Sequence, residues 1–337
     1  MEKVLIVSVN WLGDAIMMTP IPRALKEKNP SLEVSVLAPQ RVAGVFRNNP
    51  YVDEVIPFDD DALKKSFIEK LALVRTLRQK KFDMAFLVHR SFSRALICWG
   101  AGIKHRIGYA RPKNFFILTK KIPEPTKALH RQDYYLHLFE KVGIKIHHRQ
   151  PQIYISKKAE DKINHFLQPI RRKHSIFIGI NPSANWTLKR WPAANFAYLA
   201  DKLIAELNCA VFFIGTYKDK NITNQVLEKM HHTSYDMCGK TTLDELAALI
   251  TNFNLFISND SGPAHLAAAL DIKTIALFGP TSSKITAPRG NHVKIICGST
   301  TQKAECKVPC YNLKCKNNVC MQSIDRNDVL DAAKRLL

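Results

Sequence analysis

No apolar run in the 337 residues approaches the ~20 that a membrane-crossing helix needs. The first ten residues, with one Lys before a strand-like run, lack the length and the small-residue cleavage site of a signal peptide. The expected location is therefore the cytoplasm. Glycine is scarce, at 13 residues, and no Gly-x-Gly-x-x-Gly follows the first strand-like run, which argues against a dinucleotide dehydrogenase. A Gly-x-x-x-x-Gly-Lys-Ser/Thr loop is also missing. No Asp-x-Asp pair suggests a metal-dependent sugar transferase, because Asp59-Asp60-Asp61 reads as an N-cap run ahead of a helix. Acids are few as well: 29 Asp and Glu stand against 50 Lys and Arg, for a formal charge of +21.

That charge is uneven. Residues 62–150 hold 20 Lys or Arg and five acids. A generally lysine-rich surface would account for the total better than for this concentration. Such a field attracts polyanions: nucleic acid, an anionic membrane face or a phosphorylated glycolipid. With 46% hydrophobic residues, the length is comfortable for two domains. Short apolar runs at 4–9, 34–37, 52–57 and 84–88 read as strands, and 14–28, 62–79 and 131–142 as helices. A polar, basic stretch, 156–174, holds a short helix at 158–167 and then the interdomain connection. A second series follows, with strands at 176–180, 210–214, 255–258, 274–278 and 293–297. Its helices fall at 193–207, 219–231, 242–250, 262–270 and 326–337. This alternation predicts parallel sheets covered on both faces. The expected division is 1–170, 171–322 and a closing helix in 323–337.

Three strand-to-helix turns carry polar residues. Asn259-Asp-Ser-Gly-Pro-Ala-His265 follows the run 255–258 and opens a helix. A helix N-terminus offers unpaired N–H groups and the positive end of a dipole, so Ser261 and Gly262 can approach a phosphate. Asp260 can take a sugar hydroxyl, and His265 can face the same crevice. The plain alternative is a capped turn with a surface His. Lys189, in Lys189-Arg-Trp-Pro192, stands where a ligand phosphate would lie, with Pro192 expected at the first helical position. A solvated surface Lys is its ordinary reading. Asp14, in Asn10-Trp11-Leu12-Gly13-Asp14, starts a helix, where its charge alone would stabilise. In His89-Arg-Ser-Phe-Ser-Arg94, Arg90 and Arg94 can clamp a phosphate or carboxylate, or simply be surface charge.

These turns, together with Thr19-Pro20 and Phe278-Gly279-Pro280-Thr281, resemble glycosyltransferase family 9, the ADP-heptose:lipopolysaccharide heptosyltransferases. The pieces keep the family's order and spacing across nearly the whole chain. Asn10–Asp14 and Lys189–Pro192 look more like its heptosyltransferase II branch than its heptosyltransferase I branch. The resemblance implies a GT-B architecture, two doubly wound Rossmann-like domains facing a central cleft. It implies inverting transfer from ADP-L-glycero-β-D-manno-heptose to the lipopolysaccharide inner core, with no cofactor required for catalysis. Asp14 would be the general base and Lys189 the partner of the leaving diphosphate. Asp260, Ser261, Gly262 and His265 would hold the donor, with Ser183, Tyr217 and Thr241 contributing phosphate, ribose or adenine contacts. Asn10, Trp11, Arg90 and Arg94 would meet an anionic core acceptor in the basic N-terminal domain. The expected partners are that donor, that acceptor and the anionic inner face of the inner membrane, where the protein would sit peripherally. Nucleic acid is not an expected partner.

Two other functions stay open: a GT-B transferase using another nucleotide sugar for a capsule or surface glycan, and a polyanion-binding module without catalysis. The set Asp14, Lys189 and Asp260 argues against the module. Cys306, Cys310, Cys315 and Cys320 form a cluster whose open states are a structural zinc site, reduced thiols or two disulfides. Cys98, Cys209, Cys238 and Cys297 read as ordinary buried thiols.

Overall fold

The computed structural model describes residues 2–298, 306, 308–310, 312 and 314–337. The chain divides into two compact units, Met1–Tyr154 and Ile155–Leu337. Each is built on a six-stranded parallel sheet. In the first unit the strands are β1 (Lys3–Val7), β2 (Glu33–Pro39), β3 (Glu54–Phe58), β4 (Met84–Leu87), β5 (His105–Tyr109) and β6 (Lys120–Ile122). Its helices are α1 (Leu12–Met17), α2 (Pro20–Lys28), α3 (Gln40–Ala43), α4 (Asp60–Lys65), α5 (Phe67–Lys80), α6 (Phe92–Gly100) and α7 (Arg131–Glu140). The second unit has α8 (Lys157–Arg171), α9 (Ala193–Leu207), α10 (Lys220–Leu227), α11 (Leu243–Ile250), α12 (Gly262–Ala269), α13 (Ser283–Thr286), α14 (Val319–Gln322) and α15 (Arg326–Leu336). Its strands are β7 (Phe177–Asn181), β8 (Ala210–Phe213), β9 (Tyr235–Asp236), β10 (Leu255–Asn259), β11 (Thr274–Phe278) and β12 (Val293–Cys297).

The sheet orders are β3-β2-β1-β4-β5-β6 and β12-β11-β10-β7-β8-β9. Strand order reverses between β1 and β4 in one unit and between β7 and β10 in the other. Those two places are the switch points at which doubly wound sheets bind ligands. The central strands β1, β7, β10 and β11 are buried almost throughout, as continuous apolar runs in a doubly covered sheet should be. Gly179 in β7 is required by that packing: a Cβ there would lie 2.3 Å from the Phe253 ring.

Two expected helices are each broken in two. Pro20 has no N–H to continue a helix from α1, so Thr19 closes the first piece on Ile16 O and α2 starts afresh. Ser66 adopts an extended backbone, ends α4 and caps α5 through Glu69 N. Pro192 is the N-cap of α9, one position earlier than expected. The expected domain boundary near 170 lies instead at 154/155. The helix expected at 158–167 runs on to Arg171, through residues expected to form the connection, and its apolar stripe of Ala159, Ile163, Leu167 and Ile170 packs with α11. The closing helix α15 is part of the second core, packed on α9 and β11. No helix among the described residues is long and apolar enough to cross a membrane.

Candidate active site

In the second unit, the polar residues gather at the switch point because each follows the carboxyl end of a strand. Asn181, the buried last residue of β7, donates through Nδ2 to Ser261 Oγ at 2.8 Å and to Ser258 Oγ at 3.3 Å. This ties the β7 and β10 ends together. Asn259 accepts from Trp191 N at 3.0 Å and donates to Pro182 O at 2.8 Å, so the loop carrying Lys189 is pinned to the same strand end. Trp191 is buried and bonds through Nε1 to Ile324 O.

Lys189 is not a solvated surface lysine. Its Nζ donates to Asp260 Oδ2 at 2.6 Å, and Thr281 Oγ1, after β11, donates to the same oxygen at 2.6 Å. Asp260 is buried. A desolvated carboxylate needs such partners, and the pair in turn fixes the ammonium beside the start of α12. At that helix end Asp260 N bonds to Leu277 O and Ala264 N to Ser261 O, while Pro263 has no N–H. The amides of Ser261 and Gly262 are thus the donors suited to an anion. His265 lies buried in α12. Ser183 donates to Asp219, whose other carboxylate oxygen accepts from Thr216 N and Oγ1 at 2.8 and 2.6 Å. Exposed Tyr217 follows β8, two strands from β10. Thr241 is set farther out. It follows edge strand β9, three strands or about 14 Å from β10 at ordinary strand spacing. It lines a cavity of about 390 Å³ with Lys162, Phe166, Lys240 and Glu245.

In the first unit, Asp14 lies at the β1 side of the switch point, in the first turn of α1. Tyr135 Oη donates to Asp14 Oδ1 at 2.8 Å, and Arg131 Nε stands 4.0 Å from the same oxygen. Burial, reinforced by the Asp14 charge, holds the Tyr135 hydroxyl well above the usual tyrosine range, so it acts as a donor. The Arg90 guanidinium lies 4.7 Å over the Tyr134 ring, and that ring meets the Tyr135 ring edge-on at 5.9 Å. Arg90 is exposed and belongs to the neighbourhood of Asp14. Trp11 is also exposed, with the Arg41 guanidinium 5.4 Å from its ring.

Arg94 is elsewhere than expected. It is buried, bonded to Ser8 O at 2.7 Å, to Asn10 Oδ1 and to Asp60 Oδ1 at 2.9 Å. Its charge is matched inside the fold, and Asn10 is its partner. Only Asp59 of the acidic run caps the helix, through Asp61 N and Ala62 N; Asp60 is a buried ion-pair centre that also meets Arg41 and Lys64. Burial acts to raise the Asp60 carboxyl, but hydrogen bonds from Lys64 and Arg94 outweigh it and bring it down to about 2. Burial, then the Arg94 charge, pushes neighbouring His89 down to about 4, and its Nδ1 accepts from Ser91 N at 3.0 Å.

Tyr135, Arg131, Thr281, Asn181 and Asp219 join the two clusters without having been singled out for them. Asn181 and Thr281 had a signal, a polar residue just past a buried strand. Tyr135 on α7 had none. The four clustered cysteines are in no disulfide; of the four outside the cluster, Cys297 is exposed and not a buried thiol. Burial raises the Cys320 thiol, with the other three near enough to add to the effect. Among the described residues no three His, Cys, Asp or Glu side chains assemble a metal site; 299–305, 307, 311 and 313, between and beside the cysteines, lie outside those residues.

Two doubly wound units with polar groups at their switch points define a protein of the GT-B fold class. A sequence match to glycosyltransferase family 9 (heptosyltransferase) covers residues 70–316. Lipopolysaccharide heptosyltransferase 2 of Escherichia coli K12 is 29% identical over 309 residues, 87% of each chain. Lipooligosaccharide heptosyltransferase 2 of Campylobacter jejuni is 27% identical over 346 residues, 99% of each. The solved structure of E. coli ADP-heptose LPS heptosyltransferase II superposes with a TM-score of 0.82 at 27% identity, over 99% of this chain and 98% of that one. The chain belongs to glycosyltransferase family 9 and is a heptosyltransferase.

Proposed function

We propose that the enzyme transfers heptose from ADP-L-glycero-β-D-manno-heptose to the lipopolysaccharide inner core, with inversion and without a metal. The observation that carries this is the Lys189–Asp260 pair beside the α12 amides at a switch point. One fixed cation and two N–H donors suit a diphosphate. The relatives' names support heptose as the sugar and a lipopolysaccharide as the acceptor. In this reading Asp260 binds the heptose. Ser261, Gly262 and His265 surround the diphosphate. Ser183, Tyr217 and Thr241 reach toward ribose and adenine. Asn10 and Trp11 belong to the loop presented to the acceptor, and Arg90 meets an acidic group on it.

The acceptor oxygen attacks the anomeric carbon as its proton passes to Asp14. The bond from that carbon to the β-phosphate oxygen breaks, and the electron pair leaves with ADP. Lys189 and the Ser261 and Gly262 amides offset the charge that develops. A thermal-shift screen of nucleotide sugars tests the donor. Stabilisation by ADP-heptose alone is expected. Stabilisation by a different nucleotide sugar, or by none, overturns the assignment.

Lys189→Ala is expected to weaken donor binding about 10- to 100-fold, the loss of one charge-assisted hydrogen bond, and to lower turnover with it. Equilibrium binding and initial rates measure both. Unchanged values would leave Lys189 only its structural role toward Asp260. Transfer should also persist in a chelator, because Lys189 and a helix end supply the positive charge. Loss of activity restored specifically by magnesium or manganese would contradict this. Zinc content and unfolding temperature, followed in parallel, separate any effect on the cysteine cluster. The acceptor's lipid places the enzyme, in this reading, peripherally at the anionic inner face of the inner membrane.

A further inference from the structure

Of twelve large apolar side chains exposed among the described residues, eight fall between Phe67 and Phe116. On α6 they are Phe92, Leu96 and Trp99, at i, i+4 and i+7, so they form one stripe along the helix. Trp99 is 58% exposed. On α5 they include Phe67, 70% exposed, and Leu71. Both helices return from the carboxyl end of one parallel strand to the start of the next, so they run in the same direction. They pack side by side, with Arg78 Nη2 bonded to Gly100 O at 2.6 Å near their C-terminal ends. Their N-terminal halves therefore lie next to each other. The segment after β5 packs on α6 and adds Phe116, which is 94% exposed.

A buried core explains none of these side chains, and an apolar patch this concentrated marks a contact surface. Its surroundings say what it contacts. From Lys64 to Lys121 there are fifteen Lys or Arg and two acids, and of the fifteen Arg94 is buried against Asp60. Lys65, Arg75, Lys104, Lys113 and Lys120 are exposed. Exposed tryptophan and phenylalanine with exposed cations on the same segment, Lys121 Nζ lying 3.7 Å from the Phe115 ring, match the interface of a bilayer with anionic headgroups, where aromatic rings sit at headgroup depth and cations meet the lipid charge.

We infer that the α5–α6 face, with Phe116, inserts shallowly into an anionic lipid bilayer. This rests on the proposal that the acceptor is membrane-borne, and it assigns the surface that docks. Each Lys or Arg brought to such a surface raises partitioning about fivefold. Salt shortens the reach of that attraction to ~8 Å at 0.15 M, while the apolar contacts are indifferent to it.

Flotation with vesicles tests the inference. Wild-type protein should float with phosphatidylethanolamine–phosphatidylglycerol vesicles and not with phosphatidylcholine vesicles. Raising salt to 0.5 M should weaken flotation at least tenfold. The variant F92S/L96S/W99S alters exposed side chains only and should keep the wild-type unfolding temperature. It should lose at least tenfold in vesicle partitioning, yet transfer heptose normally to a water-soluble, delipidated acceptor. Wild-type-like flotation of the variant overturns the inference. So does self-association of the wild type, by sedimentation velocity, that the variant abolishes while flotation is unaffected. Flotation is scored without catalysis, so failure of the wild type to transfer heptose would overturn the proposed function and not the docking face.

Discussion

Asp14→Asn is expected to lower turnover by roughly 10²–10⁴, the usual share of a general base. The side chain keeps its shape, and the Asn amide oxygen can still accept the bond that Tyr135 Oη gives to Asp14 Oδ1 at 2.8 Å. The fold should therefore survive, and the loss should fall on the proton transfer. Donor affinity should not change, because the groups assigned to the nucleotide all belong to the other unit. Initial rates and equilibrium binding of ADP-heptose on the same preparation separate the two effects. Near-normal turnover would end the assignment of Asp14 as base. A large loss of donor affinity would instead place this carboxylate among the donor-binding groups.

Asp14, Lys189 and Asp260 could be read as candidates because each stands between the carboxyl end of a buried strand and the first turn of the next helix, and such connections are where α/β sheets bind ligands. The central strands were legible for a related reason: burial on both faces leaves an unbroken apolar run. Strand β5, His105–Tyr109, and strand β6, Lys120–Ile122, were not, because Arg and Lys interrupt them near the sheet edge. The boundary at 154/155 was hidden by Pro169 and the basic run after it. Pro169 sits in the last turn of α8, where a helix can end around it. Tyr135 is 121 residues from Asp14, and a tyrosine on an apolar helix reads as core. Arg94 was misread for the same reason. Its partner Asp60, 34 residues earlier, is part of an acidic run that looks like nothing more than a cap.

Arg94→Gln is expected to destabilise the first unit by about 3–5 kcal/mol, the cost of leaving a buried charge without its partner. Both side chains of the Arg94–Asp60 pair are almost fully buried, and the same guanidinium holds Ser8 O and Asn10 Oδ1. Asp60 keeps Lys64 and Arg41, both more exposed, which sets the loss toward the lower end. For a unit of this size the unfolding midpoint should fall by roughly 6–20 °C. The double variant Asp60→Asn/Arg94→Gln should recover part of it, since the buried carboxylate left with only its two more exposed partners is then gone. The acid limb carries a second signature. The Asp60 carboxyl is held down to about 2 in the fold, below its ordinary value near 3.8. The pair's contribution is therefore complete above about pH 4 and is lost as pH falls through about 2. Arg94→Gln should make unfolding less dependent on pH in that window, because part of the interaction that protonation removes is already absent. Thermal unfolding across pH 2–7 measures both effects. If instead the midpoint moves by less than a degree and the acceptor KM rises, Arg94 is an acceptor clamp after all, and its place in the interior of the first unit does not describe its work.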